Sequence, residues 1–311
     1  MNPLGVVPLF FFGILPLSAA EDTGTYFSMY SGPGFSVVDA TVGNKLRQEA
    51  FEDAILKSSV VYAGEVAGQS EDHLAQFELL KFMSRTRKDR VIVGFEMLSA
   101  TLQPVLDAYA AGTLTEDEFL DQTNWKKEWG YDFELYKPVF DFVRERRLKA
   151  VALNLPRGVI AKLARGAADS LSAEEKALLP AKISVSRDKA YLAYLKKVYL
   201  ASPASKTMTW TDYLLSVSAG NEAMGARIGD SLKKNPGYSF LALAGNGRII
   251  YNAGLPASVK ARTRGLIHAS IYTMDGAGLK DFLKHPVPFA DYVWFLKRPK
   301  ENAPDEFKTR K

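Results

Sequence analysis

The stretch Tyr62-Ala63-Gly64-Glu65-Val66-Ala67-Gly68-Gln69-Ser70-Glu71-Asp72-His73-Leu74-Ala75-Gln76 decides the fold. An apolar run, Ser59-Val60-Val61-Tyr62-Ala63, stops at Gly64-Glu65, a short polar loop follows, and an apolar-periodic segment opens near Ser70. A buried strand that feeds a helix through a short loop is the repeating junction of a parallel sheet. In an open α/β sheet such a junction sets polar residues at the carboxyl end of a strand, where ligand sites form. It also carries one of only three histidines in the chain.

Outward from this junction the pattern repeats. Arg90–Glu96 reads as a second buried strand, because it is short, continuous and rich in β-branched residues. Lys149–Leu153 is a third, stopped by Pro156, and Tyr238–Ala244 a fourth, ending at Gly245-Asn246-Gly247. Arg248–Tyr251 is expected as a fifth, with Leu266–Tyr272 and Tyr292–Leu296 as late strands. Helices are expected over Lys45–Leu56, Asp72–Arg85, much of Ala100–Arg147, Arg157–Leu200 with a break near Pro180, and Trp210–Lys234. Thr115-Glu116-Asp117-Glu118 is a good helix start, a capping threonine followed by early acids. Alternating strands and helices predict an α/β fold with a mainly parallel central sheet, crossover helices and a long helical insertion at about 157–235. Residues 21–57 form a lead segment and helix, with turn chemistry at Ser31-Gly32-Pro33-Gly34. Residues 58–296 form the α/β domain. Residues 297–311 are charged, carry two prolines and lack an apolar period, so a disordered tail is expected there.

The 311 residues are 47% hydrophobic and 24% charged, the balance of a globular protein. The net charge of +5 is mild and no dense basic stripe interleaves with aromatics, which argues against a nucleic-acid partner. The absence of cysteine excludes disulfides, thiolate metal ligands, a cysteine nucleophile and a lipid-modified N-terminal cysteine. At the N-terminus Pro3–Leu17 is almost wholly apolar around Phe10-Phe11-Phe12, and Ser18-Ala19-Ala20 precedes Glu21-Asp22. Small residues at 18 and 20 fit signal-peptidase cleavage near Ala20, giving a signal peptide over 1–20. The competing reading is an uncleaved anchor, although the run falls short of the roughly 20 residues a bilayer span needs. Both readings imply an exported protein, periplasmic or associated with the cell envelope.

Four polar groups fall at expected strand ends: Glu65, Glu96, Asn154 and Asn246. In a parallel sheet these ends share one edge, so the side chains can converge on one crevice. Two nearby carboxylates raise one pKa and offer acid/base or cation-binding chemistry. The plainer reading is that the two glutamates cap helices or pair with Arg157 or Arg248. His73, on the first turn after Glu65, suits a metal ligand, a haem ligand or a general base. It equally suits a partly buried structural role. Gln76, three residues on, shares its helical face. Gly245-Asn246-Gly247 lacks the glycine spacing of a nucleotide loop, and no Gly-x-Ser-x-Gly elbow occurs.

These residues resemble the ChaN-type haem-binding lipoproteins, relatives of the TIKI/TraB and erythromycin-esterase-like proteins. The resemblance runs through Gly64-Glu65, Asp72-His73 and Gln76, then Phe95-Glu96-Met97, then Trp129, Asp132 and Tyr136-Lys137-Pro138. It continues through Ala152-Leu153-Asn154-Leu155-Pro156-Arg157, and more loosely through Gly220-Asn221-Glu222-Ala223-Met224-Gly225. It closes with Gly245-Asn246-Gly247-Arg248, Tyr251-Asn252-Ala253-Gly254-Leu255-Pro256 and Asp291-Tyr292-Val293-Trp294-Phe295. In order, it covers about Ser58 to Leu296. Four positions depart from the family pattern. Ala67, Asp72 and Arg248 stand where the family has histidine, and Asn221 where it has aspartate.

The resemblance implies haem as cofactor or cargo, tyrosine ligation of its iron, and a homodimer across which the ligand is shared. Among 14 tyrosines, Tyr136 and Tyr251 are the motif candidates, with Trp125, Trp129 and Phe133 as an apolar face. With the family's histidines gone, a resident metal ion is disfavoured. Arg248 brings a fixed cation that suits a carboxylate such as a haem propionate, or fills the site by pairing with Glu65 or Glu96. The first reading is thus an exported protein of iron acquisition that binds haem or an iron chelate. Its crevice would be lined by Glu65, His73, Gln76, Glu96, Asn154, Arg157, Asn246 and Arg248, with peripheral membrane association as a further expectation. A hydrolase, with Glu65 or His73 as base and with or without a metal, is the second reading. A pseudoenzyme that binds a protein is the third.

Overall fold

The protein is described here by a computed structural model covering residues 35–298. The expected signal peptide, most of the Gly/Ser-rich lead and the tail beyond Arg298 lie outside the described residues. Eight strands build one sheet: β1 (Ser36–Asp39), β2 (Asn44–Lys45), β3 (Val60–Glu65), β4 (Val91–Ser99), β5 (Lys149–Asn154), β6 (Ser239–Gly245), β7 (His268–Asp275) and β8 (Tyr292–Leu296). Their order across the sheet is β2-β1-β8-β7-β3-β6-β4-β5. Every pair from β8 to β5 is parallel, and only the β1/β2 edge runs antiparallel. The fold is α/β with a mainly parallel central sheet and crossover helices, as the alternating pattern predicts.

β3 shows why the central strands read as unbroken apolar runs. All six of its residues are buried, because both faces of the sheet are covered. Successive side chains point to opposite faces, so Val61 and Ala63 join one core with Val93, Phe95, Leu241 and Phe140. Val60 and Tyr62 join the other with Ile92, Phe240, Tyr191 and Met224. A smaller cluster seats the Arg157–Ala164 helix on the long Trp210–Lys234 helix through Leu155, Val159, Leu163 and Ala219.

Three expectations are corrected. Arg248–Tyr251 is not a strand: Asn246–Ile249 turns helical, and Tyr251 and Asn252 then adopt positive φ angles of 59° and 56°, which end any extended run. The turn-rich lead hides the β1/β2 hairpin, which turns tightly at Gly43, φ +72°. Glu96 is not at a strand end, since β4 continues to Ser99 with a register irregularity after Phe95. The Thr115 helix start is present as a reciprocal capping box with Glu118. Among the described residues no helix is long and apolar enough to cross a membrane.

Candidate functional site

β6 lies between β3 and β4, so the carboxyl ends of three strands sit side by side. Glu65 pairs in register with Gly245, and Glu96 lies on the other side of β6. The polar residues expected here do gather at this edge, but they divide into three knots rather than one crevice.

The first knot surrounds Glu65. Gln76 donates from Nε2 to Glu65 Oε2 at 3.0 Å and to the Ala63 carbonyl at 3.1 Å. The Tyr136 hydroxyl donates to Glu65 Oε1 at 3.3 Å. His73 Nδ1 lies 3.4 Å from Glu65 Oε2, and its ring packs on Tyr136 with centroids 4.1 Å apart. Neither ring nitrogen of His73 makes a hydrogen bond among the described residues. All four side chains are buried. Burial, followed by the negative charge of Glu65, pushes the Tyr136 phenol far above its ordinary pKa.

The second knot centres on Glu96. The Gly245 amide donates to its Oε2 at 2.8 Å and Arg248 Nε to its Oε1 at 2.7 Å. Arg248 also reaches Asn221 Oδ1 at 3.3 Å, and Asn221 Nδ2 donates to the Tyr191 hydroxyl at 3.1 Å. Of the two acids the sequence left open as partners for Arg248, the fold selects Glu96, because Glu65 is already enclosed by Gln76 and Tyr136.

The third knot was not legible in the sequence. Asp72 is fully buried. Its Oδ2 accepts from the Val66 amide at 2.7 Å, the Thr273 hydroxyl at 2.7 Å and Arg298 Nη2 at 2.9 Å. Its Oδ1 accepts from Arg298 Nε at 3.2 Å. Burial raises the Asp72 carboxyl pKa, while Arg298, Thr273 and the Val66 amide pull it back. Asn246 joins this knot: it donates to the Thr273 carbonyl at 2.9 Å and accepts from the Thr273 amide at 3.1 Å. Gly64 is required beneath it, since a Cβ there would stand 2.3 Å from Asn246 Oδ1 and 2.6 Å from the Ile271 carbonyl.

Asn154 and Arg157 lie apart from these knots, on a cleft of about 610 Å³ lined by Glu96, Met97, Trp129, Asn154, Pro156 and Arg157. Asn154 Oδ1 accepts from the Leu155 amide, and Arg157 Nη1 holds the carbonyls of Lys127 and Glu128 at 2.7 and 3.0 Å. A smaller cavity of about 270 Å³ shares Glu96 and is bounded by Arg248, Tyr194, Tyr213 and Val217. Glu96 thus borders both cavities, and Arg248 the smaller one. Tyr251 packs beside Phe289 in the core of the opposite sheet face from Tyr136, so the two tyrosine candidates do not share a site. Among the described residues no group of three or more His, Asp or Glu is placed to hold a metal ion.

The model of a family described as haem-binding uptake, Tiki superfamily, ChaN, matches residues 51–259. The fold is similar to a ChaN of Campylobacter jejuni whose structure is described as showing cofacial haem binding. That match has 20% identity and a TM-score of 0.63, over 86% of this chain and 98% of the other. A structure of the erythromycin esterase EreC in an open conformation aligns over 77% of this chain and 76% of its own, at 16% identity and a TM-score of 0.46. No curated protein matches the chain.

Proposed function

The chain belongs to the ChaN haem-binding uptake family of the Tiki superfamily, and from that premise we propose that it binds haem, or an iron chelate of similar shape and charge, as an exported protein of iron acquisition. The family match over 51–259 carries the reading. The cleft between β4, β5 and Trp129 is the site we assign to the ligand. Its volume of about 610 Å³ lies within the ~300–1,000 Å³ usual for small-molecule sites. Met97, Pro156 and the Trp129 ring offer an apolar wall for a flat macrocycle. Arg157 stands exposed at its rim, a guanidinium suited to a propionate carboxylate.

Of the two motif tyrosines, Tyr136 is the one we propose would ligate the iron from this cleft, tyrosinate being an accepted haem ligand; Tyr251, on the other face of the sheet, would serve only a site apart from it. Tyr136 adjoins the cleft behind Trp129, with ring centroids 6.2 Å apart, and its hydroxyl already donates to Glu65, a carboxylate that could take the phenol proton were the tyrosine to ligate iron. Export through the apolar leader, homodimer formation and peripheral contact with a membrane belong to the same proposal. So does a site edited away from the family pattern, since Asp72 and Arg248 are engaged in ion pairs. No observation favours the hydrolase reading, whose base would be Glu65 or His73, because each is only 2% exposed and enclosed by side chains.

An absorbance titration of purified protein with haem is expected to give a shifted Soret band at micromolar protein. A spectrum no different from that with an albumin-like control would end the proposal. Tyr136→Phe is expected to alter the spectrum more than Tyr251→Phe, and identical spectra in both variants and the parent would remove both tyrosines as ligands.

A further inference from the structure

β8 ends at Leu296, at the same edge of the sheet as Glu65, because β8, β7 and β3 are parallel neighbours. The chain therefore leaves the sheet beside the candidate site. Two strand spacings, ~10 Å, separate the end of β8 from β3, and the Arg298 side chain reaches past Thr273 of β7 to Asp72, on the helix that follows β3. Its guanidinium meets both oxygens of Asp72 and passes within 3.4 Å of the Thr273 hydroxyl. The pair is sealed from water, with side-chain exposures of 4% for Arg298 and 0% for Asp72.

Asp72 does more than receive Arg298. The same carboxylate holds the Val66 amide, in the loop that follows Glu65. Asp72 is also the residue before His73 on the first turn of the Ser70–Thr86 helix. One carboxylate thus ties together the loop after β3, the helix that carries His73 and Gln76, the end of β7 and the C-terminal segment. We propose that Arg298 is a latch that holds the Glu65–His73–Gln76–Tyr136 knot shut, so that breaking its pair with Asp72 opens that knot to solvent. The device goes beyond the haem proposal and does not depend on what the cleft binds.

The three histidines of the chain make the test self-contained. His73 is 2% exposed. His285 is exposed, and His268 is held at both ring nitrogens by Tyr62 and Thr263. Acylation of the full-length protein by diethyl pyrocarbonate, followed at each histidine by peptide mass spectrometry, reads the latch directly. In the parent, His285 reacts and His73 does not. In Arg298→Ala the His73 rate is expected to rise about tenfold or more, with His268 and His285 unchanged, because removing one partner of a buried pair opens the segment it held. Arg298→Lys, which keeps the charge and loses the fork, is expected to raise the His73 rate by a smaller factor, and serves if the alanine variant does not fold. A His73 rate unchanged in both variants overturns the latch. So does a rise at His268 equal to that at His73, which would report global opening instead.

Discussion

Two arginine–carboxylate pairs stand at the carboxyl edge of this sheet, Asp72–Arg298 and Glu96–Arg248, and they differ in what surrounds them. The first is sealed, with side-chain exposures of 4% for Arg298 and 0% for Asp72, and it links four segments. The second is partly open, with side-chain exposures of 20% for Arg248 and 10% for Glu96; Glu96 borders both cavities and Arg248 the smaller one. The same chemistry, an arginine paired with a carboxylate, makes a bolt in one place and a half-open contact in the other. Solvent access separates the two, because a charge left behind in a dry site costs far more than one that water can reach.

Arg298→Ala should therefore be the most damaging single change at this edge. It strands the Asp72 carboxylate, and a loss of about 3–5 kcal/mol in urea unfolding is expected. Arg248→Ala leaves Glu96 with the Gly245 amide and with water from two cavities, so a loss nearer 1–2 kcal/mol is expected by the same measurement. Equal losses would mean that burial does not distinguish the pairs. Between them falls Gly64→Ala, whose added methyl meets Asn246 Oδ1 and the Ile271 carbonyl. Overpacking of that kind typically costs about 1–3 kcal/mol, and here it should also slow recovery of the native edge after unfolding.

A smaller effect should appear at the other end of the sheet. Burial, and then the nearby Lys260 charge, lower the His268 pKa from 6.5 to about 4. Its Nδ1 meets the Tyr62 hydroxyl at 2.8 Å and its Nε2 the Thr263 hydroxyl at 3.1 Å. The unfolded chain takes up a proton near pH 6.5 that the folded chain refuses until about pH 4. Stability from this group is thus complete above pH 6.5, falls as pH drops towards 4, and is level below. Urea midpoints of the parent should fall more steeply across that window than those of His268→Gln. Parallel slopes would remove His268 as the cause.

The fold was largely legible because β3, β4, β5 and β6 are continuous apolar runs between helical patterns, and because burial on both faces leaves such runs no alternative. Arg248–Tyr251 misled, since Ile249, Ile250 and Tyr251 have strand propensity while the positive φ of Tyr251 and Asn252 is set by tertiary context. The gathering of Glu65, His73 and Gln76 followed from spacing alone. The choice of Glu96 over Glu65 by Arg248 did not, because it depends on β6 lying between β3 and β4. Arg298 carried no signal. It stands 226 residues from Asp72, in a charged segment whose composition matches a solvated tail. Only the parallel exit of β8 brings it across the site.

The proposal places an anionic, flat ligand in the cleft between Trp129 and Arg157. The most direct measurement is a haem titration followed by tryptophan fluorescence in the parent, Trp129→Phe and Arg157→Ala. Strong quenching is expected in the parent, with a clear loss of that quenching in Trp129→Phe and about a tenfold weaker affinity in Arg157→Ala, the ~1.4 kcal/mol of one charge-assisted contact. Haem binding of equal affinity and equal quenching in all three proteins would contradict it.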